Sequence, residues 1–161
     1  MVEIPSNVNI HVDGHTVVAK GPAGEVRKTF HKEVEIKLEG NKIQVIARTK
    51  ALQGTSDSIL ASMVNGAKDG YKKNMKLLYA HFPISVEVKG KDIMIKNFLG
   101  EKMARKARLI GATKVEAKGQ SVMISGPDKV DVGQTLANMK TAMKIKDKDG
   151  RVFQDGIFNA E

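Results

Sequence analysis

Residues 82–103 read FPISVEVKGKDIMIKNFLGEKM: an alternating apolar and polar run, a glycine turn, a second alternating run ending in Lys96, and a corner at Gly100-Glu101. Residues 4–26, IPSNVNIHVDGHTVVAKGPAGEV, pass through the same order, with Lys20 closing the second run and Gly24-Glu25 at the corner. Alternation with period two is the signature of a half-buried strand, so each stretch is a predicted hairpin. The two stretches match with a short indel expected in the hairpin. Further on, VEIKLEGNKIQVIA (34–47) answers to TKVEAKGQSVMISG (113–126), each being two alternating runs joined through a glycine, Gly40 and Gly119 respectively. Each half then closes on an amphipathic segment. Leu52, Ile59, Leu60, Met63, Val64 and Ala67 recur at helical spacing in the first, and Leu136, Met139 and Met143 in the second.

A repeat of this length means a duplicated unit. Each module of about 80 residues is hairpin, extended segment, hairpin, helix. A small sheet has one apolar face, and one helix laid on it covers that face. The expected fold is therefore α+β: two tandem similar domains, each a small mainly antiparallel sheet covered by one helix. The expected domains are residues 1–80 and 81–161, joined near Tyr79-Ala80-His81, just before Pro83.

One segment carries conflicting signals. EKMARKARLIG, residues 101–111, is rich in helix formers and places Glu101 four residues before Arg105, a helix-supporting spacing. Its repeat partner EVRKTFHKEV, residues 25–34, alternates through Val26, Lys28 and Phe30 and reads as a strand. The repeat outweighs the local propensity, so residues 101–111 are expected to be extended.

Composition narrows the chemistry. The chain has 161 residues, no Cys and no Trp, which removes a disulfide framework and a cysteine-ligated zinc site. The N-terminal stretch carries Glu3 and Pro5 and no continuous apolar run, so neither a signal peptide nor a membrane span is expected there. Lys and Arg number 27 against 18 Asp and Glu, for a net charge of +9. A bound polyanion is the usual reason for such an excess. Residues 89–118 hold nine basic and three acidic groups. A second run, Lys140, Lys144, Lys146, Lys148 and Arg151, follows the predicted helix with only Asp147 and Asp149 opposing it. Residues 1–80 are milder, with twelve basic and eight acidic groups.

SGPDKVDVGQTLANM, residues 125–139, has the outline of a phosphate loop. Asp131 and Gln134 have capping-box spacing, with Asp131 as the expected helix N-cap. The Gly126-Pro127 turn hands strand to helix, and the helix N-terminus favours an anion, with Lys129 beside it. Neither GxxxxGK[ST] nor GxGxxG occurs in the chain, so a catalytic phosphate loop is not supported. Asp128, Asp131 and Gln134 are read as organising the loop and cap. His11-Val12-Asp13-Gly14-His15 has metal-like residue types, but Asp13-Gly14 is explained as a hairpin corner, and no metal is expected. The methionines at apolar positions are read as core filling, and Phe153 and Phe158 as packing residues.

The long motifs here carry a resemblance. GPDKVDVGQTLANM at 126–139, DGRVFQDGIF at 149–158, KGPAGEV at 20–26 and KALQGT at 50–55 resemble the large-subunit ribosomal protein six family, in its archaeal and eukaryotic branch. The closing Arg151, Phe153, Asp155, Gly156, Ile157 and Phe158 are similar to the family's ending, with Phe158 where Tyr is more usual. The lack of a long basic C-terminal extension favours an archaeal member. The resemblance implies a cytoplasmic structural constituent of the large ribosomal subunit. It implies binding to large-subunit rRNA mainly through residues 81–161, near the sarcin-ricin loop and the region where translation factors dock. Its partners would be that rRNA, neighbouring large-subunit proteins and nearby translation factors, with no cofactor and no catalysis. The expected RNA-binding residues are Lys96, Lys102, Arg105, Lys106 and Arg108 on the extended segment, Lys129 at the cap, and Lys140, Lys144, Lys146, Lys148 and Arg151 beyond the helix. Gly126, Pro127, Asp128, Asp131 and Gln134 are the expected loop and cap residues. Two rivals stand beside this reading: a free RNA-binding regulator with the same basic face, and a small enzyme working at the 126–134 loop.

Overall fold

In a computed structural model that describes residues 2–160, the chain forms thirteen strands and two α-helices, α1 (Lys50–Lys68) and α2 (Lys129–Ala142). Two compact units result: residues 1–71 with 126–129, and residues 72–125 with 130–161.

The first unit contains β1 (Val2–Glu3), β2 (Asn9–Asp13), β3 (Thr16–Gly21), β4 (Gly24–Thr29), β5 (Val34–Glu39), β6 (Lys42–Ala47) and α1. Its strands form two antiparallel sheets, β2-β3-β4 and β1-β6-β5. Alternation sets the faces: Val17 and Ala19 on β3 and Ile43 and Val45 on β6 are buried, and Leu60, Met63 and Ala67 of α1 pack with them. Thr49 caps α1, its Oγ1 accepting the Leu52 N–H at 3.3 Å. Asp13 pairs with Thr16, so the HVDGH corner is the expected hairpin turn.

The second unit contains β7 (Tyr71–Leu78) from Lys72 onward, β8 (Ser85–Lys89), β9 (Asp92–Lys96), β10 (Arg105–Arg108), β11 (Lys114–Lys118), β12 (Ser121–Gly126) up to Ser125, α2 from Val130, and β13 (Gly156–Asn159). The sheets are β10-β9-β8 and β11-β12-β7-β13. The α+β duplication is therefore present, with the strands of each unit shared between two sheets rather than gathered in one.

Pairing registers locate the repeat residue by residue. Asn9 pairs with Lys20 and Ser85 with Lys96, an offset of 76 that carries the first hairpin onto the second with no gap. The indel expected inside that hairpin lies ahead of it, between Pro5 or Pro83 and the buried Val8 or Ile84. Ala19 pairs with Val26, whereas Ile95 pairs with Arg105, so the second copy holds three more residues at this corner. Asn97 and Leu99 adopt left-handed backbone there, with φ of 57° and 50°. From that point the offset is 79: Glu39 and Lys42 pair as Lys118 and Ser121 do, and both helices begin at the matching residue, Lys50 and Lys129. Gly40 and Gly119 hold the matching turns at φ of 59° and 60°, as expected. The same offset aligns the helices: Ser56 with Thr135, Leu60 with Met139 and Val64 with Met143, all buried.

This alignment moves two boundaries. The units divide at Tyr71, ahead of the join expected at residues 80 and 81, because β7 joins the second unit's sheet beside β12, the place that β1 takes beside β6. The capping box at Asp131 and Gln134 is replaced as well. The helix begins three residues earlier than that reading requires, and Asp128 stands where Thr49 stands in the first copy. Asp131 instead lies in the first turn of α2, a favourable place for a negative charge, and Gln134 donates forward to Asn138 Oδ1 at 3.0 Å.

Candidate nucleic-acid interface

Within residues 101–111 the chain forms a strand, β10, at Arg105–Arg108 rather than a helix, as the repeat requires, with a bend at Lys102 and Met103 before it, and β10 is an edge strand. Arg105 on this strand holds the two basic runs of the sequence together. Its Nε donates to Glu101 Oε2 at 2.8 Å, and its terminal nitrogens reach Glu101 Oε1, the Ala142 carbonyl at 2.9 Å and the Lys144 carbonyl at 3.1 Å. The guanidinium carbon lies 4.5 Å from the centroid of the buried Phe98 ring. The hydrogen bond from Arg105 lowers the Glu101 pKa, and the same bond raises that of Arg105. The i,i+4 spacing that argued for a helix is thus realised across a turn of extended chain.

The segment after Arg105 runs back along α2. Asn138 Nδ2 donates to the Arg108 carbonyl at 2.9 Å, and the Ile110 N–H donates to Thr135 Oγ1 at 3.1 Å. The buried Thr113 hydroxyl donates to the Ile110 carbonyl at 2.7 Å and lies 3.1 Å from Thr135 Oγ1. Gly111, at φ of 59°, closes the run; a Cβ there would overlap the Asp131 carboxylate. One strand laid on one helix therefore fixes where the exposed lysines go.

The predicted binding residues divide by what they already touch. Lys102, Lys106 and Arg108 on one side, and Lys144 and Lys146 on the other, are exposed and lie on the segments that Arg105 joins; none has an ion pair among the described residues. Lys140 is exposed in the last turn of α2, with Nζ 3.4 Å from Asn159 Oδ1. Arg105 itself is committed to protein acceptors, so it organises the cluster. Lys96 pairs with Glu87 at 2.7 Å, a contact that lowers the Glu87 pKa chiefly through the hydrogen bond. Lys148 lies 4.8 Å above the Phe153 ring, which stacks on His81 at 5.4 Å. Arg151 is exposed, in the turn before β13. Lys129 is exposed at the opposite end of α2 from Ala142 and is not gathered into the cluster.

The 126–128 turn has a packing role in the first unit. Pro127 is buried against Gly24 and Gly66; a Cβ on Gly66 would overlap the Pro127 carbonyl. Asp128 forms an ion pair with Lys28 at 2.6 Å. The turn is thus filled by its own proline, and its Asp128 charge is answered by Lys28 of β4.

Dividing the chain where the structure does sharpens the electrostatics. The first unit holds ten basic and nine acidic residues, the second seventeen and nine, so the second carries +8 of the net +9. Lys72, Lys73 and Lys76 of β7 supply part of that difference and were not among the expected binding residues. Asn138, Thr113 and Thr135 were also missed, since single polar residues in amphipathic segments give no signal before the packing is known. Asp155 sits buried in the closing block, with Oδ1 accepting the Ala80 N–H at 3.3 Å and lying 3.8 Å from His81 Nδ1. No described helix is long and apolar enough to cross a membrane.

Comparison with known proteins agrees with the duplication. The family model described as Ribosomal protein L6 matches residues 4–70 and again 82–156. A large ribosomal subunit protein uL6 of Methanocella arvoryzae is 42% identical over 164 residues, covering 98% of this chain and 93% of its own. That of Aeropyrum pernix is 42% identical, covering 98% and 90%, and that of Archaeoglobus fulgidus 39%, covering 98% and 86%.

Proposed function

The chain belongs to the ribosomal protein L6 family, in its archaeal branch, and on that premise we propose that the cluster organised by Arg105 is its principal rRNA-binding site. The protein is a structural, non-enzymatic constituent of the large ribosomal subunit in the cytoplasm, with rRNA and ribosomal proteins as partners. The second unit supplies most of the affinity. Lys102, Lys106, Arg108, Lys140, Lys144 and Lys146 neutralise phosphates, positioning the protein without reading bases. The bound region lies near the sarcin-ricin loop, where translation factors dock. The observation that carries this reading is the Arg105 guanidinium, which spends its donors on Glu101 and on the Ala142 and Lys144 carbonyls and so brings two basic runs to one place.

Because residues 126–129 belong to the first unit, no single cut separates the two, and the test uses the full chain. Salt titration of binding to a folded large-subunit rRNA fragment separates the two roles of a cation. Replacing Lys106 with Ala should lower the slope of log affinity against log salt by about 0.7–0.9, the loss of one phosphate contact. R105K keeps the charge but not the planar fork. It should weaken binding while leaving the slope unchanged. An R105K slope that falls as the K106A slope does would make Arg105 a direct phosphate contact and remove its organising role.

A further inference from the structure

The exposed face of the β11-β12-β7-β13 sheet carries lysines other than those of the Arg105 assembly, and only at its β13 edge does Phe158 border a cavity shared with Lys140. Met75, Leu77, Val122 and Ile124 turn inward and are buried, so the alternate residues turn to solvent. Lys76 and Phe158 are directly opposed in the β7–β13 pairing and therefore share that outer face, where Phe158 is 46% exposed. Lys72 lies farther along β7, and Lys114 and Lys118 alternate with Glu116 on β11. None of these four lysines has an ion pair among the described residues. A groove of about 340 Å³ runs here, its lining including Asn74, Glu116, Lys118 and Met123.

The corresponding face of the first unit differs at each matched position. The offset of 79 carries Glu35, Lys37 and Glu39 onto Lys114, Glu116 and Lys118, reversing all three charges. On the first unit's face Lys42 is also answered by Glu3 at 3.4 Å. The second unit has kept the strand geometry while exchanging a balanced surface for a cationic one.

We propose that this face is a second RNA-binding surface, taking an unpaired or looped rRNA strand distinct from the segment held at the Arg105 cluster. Lys72, Lys76, Lys114 and Lys118 meet its phosphates, and a base stacks on Phe158. Stacking on an aromatic beside a basic track is how single strands are held without sequence readout. The exposed ring among the lysines favours a nucleobase partner over an acidic peptide, which would use the charges alone. The proposal rests on the reading of the chain as an rRNA-binding protein.

Hydroxyl-radical footprinting of full-length protein on folded large-subunit rRNA, with a parallel salt titration, tests it against that reading. A K76A/K118A variant should lose one protected segment and bind roughly tenfold more weakly at physiological salt, from two lost phosphate contacts. A K106A/R108A variant should lose a different segment. F158L should weaken protection of the first segment without changing the salt slope. If K76A/K118A keeps the wild-type footprint and affinity while K106A/R108A does not, the second surface is overturned and the first stands. If K76A/K118A leaves the RNA footprint intact but loses a protein crosslink in assembled subunits, the face binds protein and the proposal also falls. Wild-type footprints from both variants would remove both sites.

Discussion

The sheet faces of the two units share a register and oppose each other in charge. Glu35, Lys37 and Glu39 on β5 become Lys114, Glu116 and Lys118 on β11, and the units that carry them hold +1 and +8. The inward positions behave otherwise. Val17 and Ile93, Ile43 and Val122, Val45 and Ile124, and Leu60 and Met139 are matched pairs, every member buried. A slip of one residue would turn a strand's apolar set to solvent, so the core pattern is held by packing. No such constraint acts on the outer face. The duplication thus left two scaffolds of the same internal design, one with a nearly neutral surface and one fitted to a polyanion.

The strongest way to break that comparison is at the core. Leu60→Ala and Met139→Ala remove equivalent fully buried side chains, and each should cost about 2–5 kcal/mol. Denaturant unfolding gives the size, and hydrogen exchange should show the loosening confined first to the unit that carries the change. Equal loss of protection in both units from either variant would mean that they unfold as one, and the matched cores would not be independent.

Charge exchange comes next. Giving the second face the first face's pattern, K114E with E116K and K118E, should lower rRNA affinity roughly tenfold at physiological salt, because two positive contacts become repulsive. The reciprocal change on β5, E35K with K37E and E39K, should leave affinity within about twofold, since one reversed face supplies no exposed ring beside its charges. A gain of binding as large as the loss would show that charge alone makes the surface.

How far the sequence carried this reading follows from what each signal depends on. Alternation and glycine turns are local, so the hairpins and the duplication were legible, and the duplication in turn made the strand within residues 101–111 legible against its local helix propensity. The Asp131 and Gln134 spacing fitted a capping box equally well, yet the register of the second copy puts the helix start at Lys129, which no local pattern reveals. The three-residue insertion shifts the frame in the middle of the repeat, so the offset of 76 that matches the first hairpins does not carry one helix onto the other. The basic cluster was legible as charge. Its geometry was not, because Arg105 counts as one more cation until Glu101, Ala142 and Lys144 are found around it. Lys72 and Lys76 were missed for a related reason: they sit on a strand that the sequence assigned to the first domain.

The smallest expected effect separates the two glycine-glutamate corners. Glu101 pairs with Arg105, while Glu25, at the matching corner of the first copy, has no ion pair among the described residues. The Arg105 hydrogen bond holds the Glu101 carboxyl below its ordinary value near 4.5, so its contribution to folding is complete above that pH and drains away as pH falls through the lower folded value. Both side chains are partly exposed, and screened pairs of this kind contribute up to about 1 kcal/mol. Thermal midpoints measured from pH 7 down to about pH 3 should therefore fall less steeply for E101Q than for the wild type, with E25Q as the matched control for loss of one acidic charge. The same acidification should loosen the strand that Arg105 ties to α2, seen as faster amide exchange at Lys106 and Arg108. An E101Q profile parallel to the wild type would place the acid-sensitive contact elsewhere and leave the corner's extra residues without an electrostatic role.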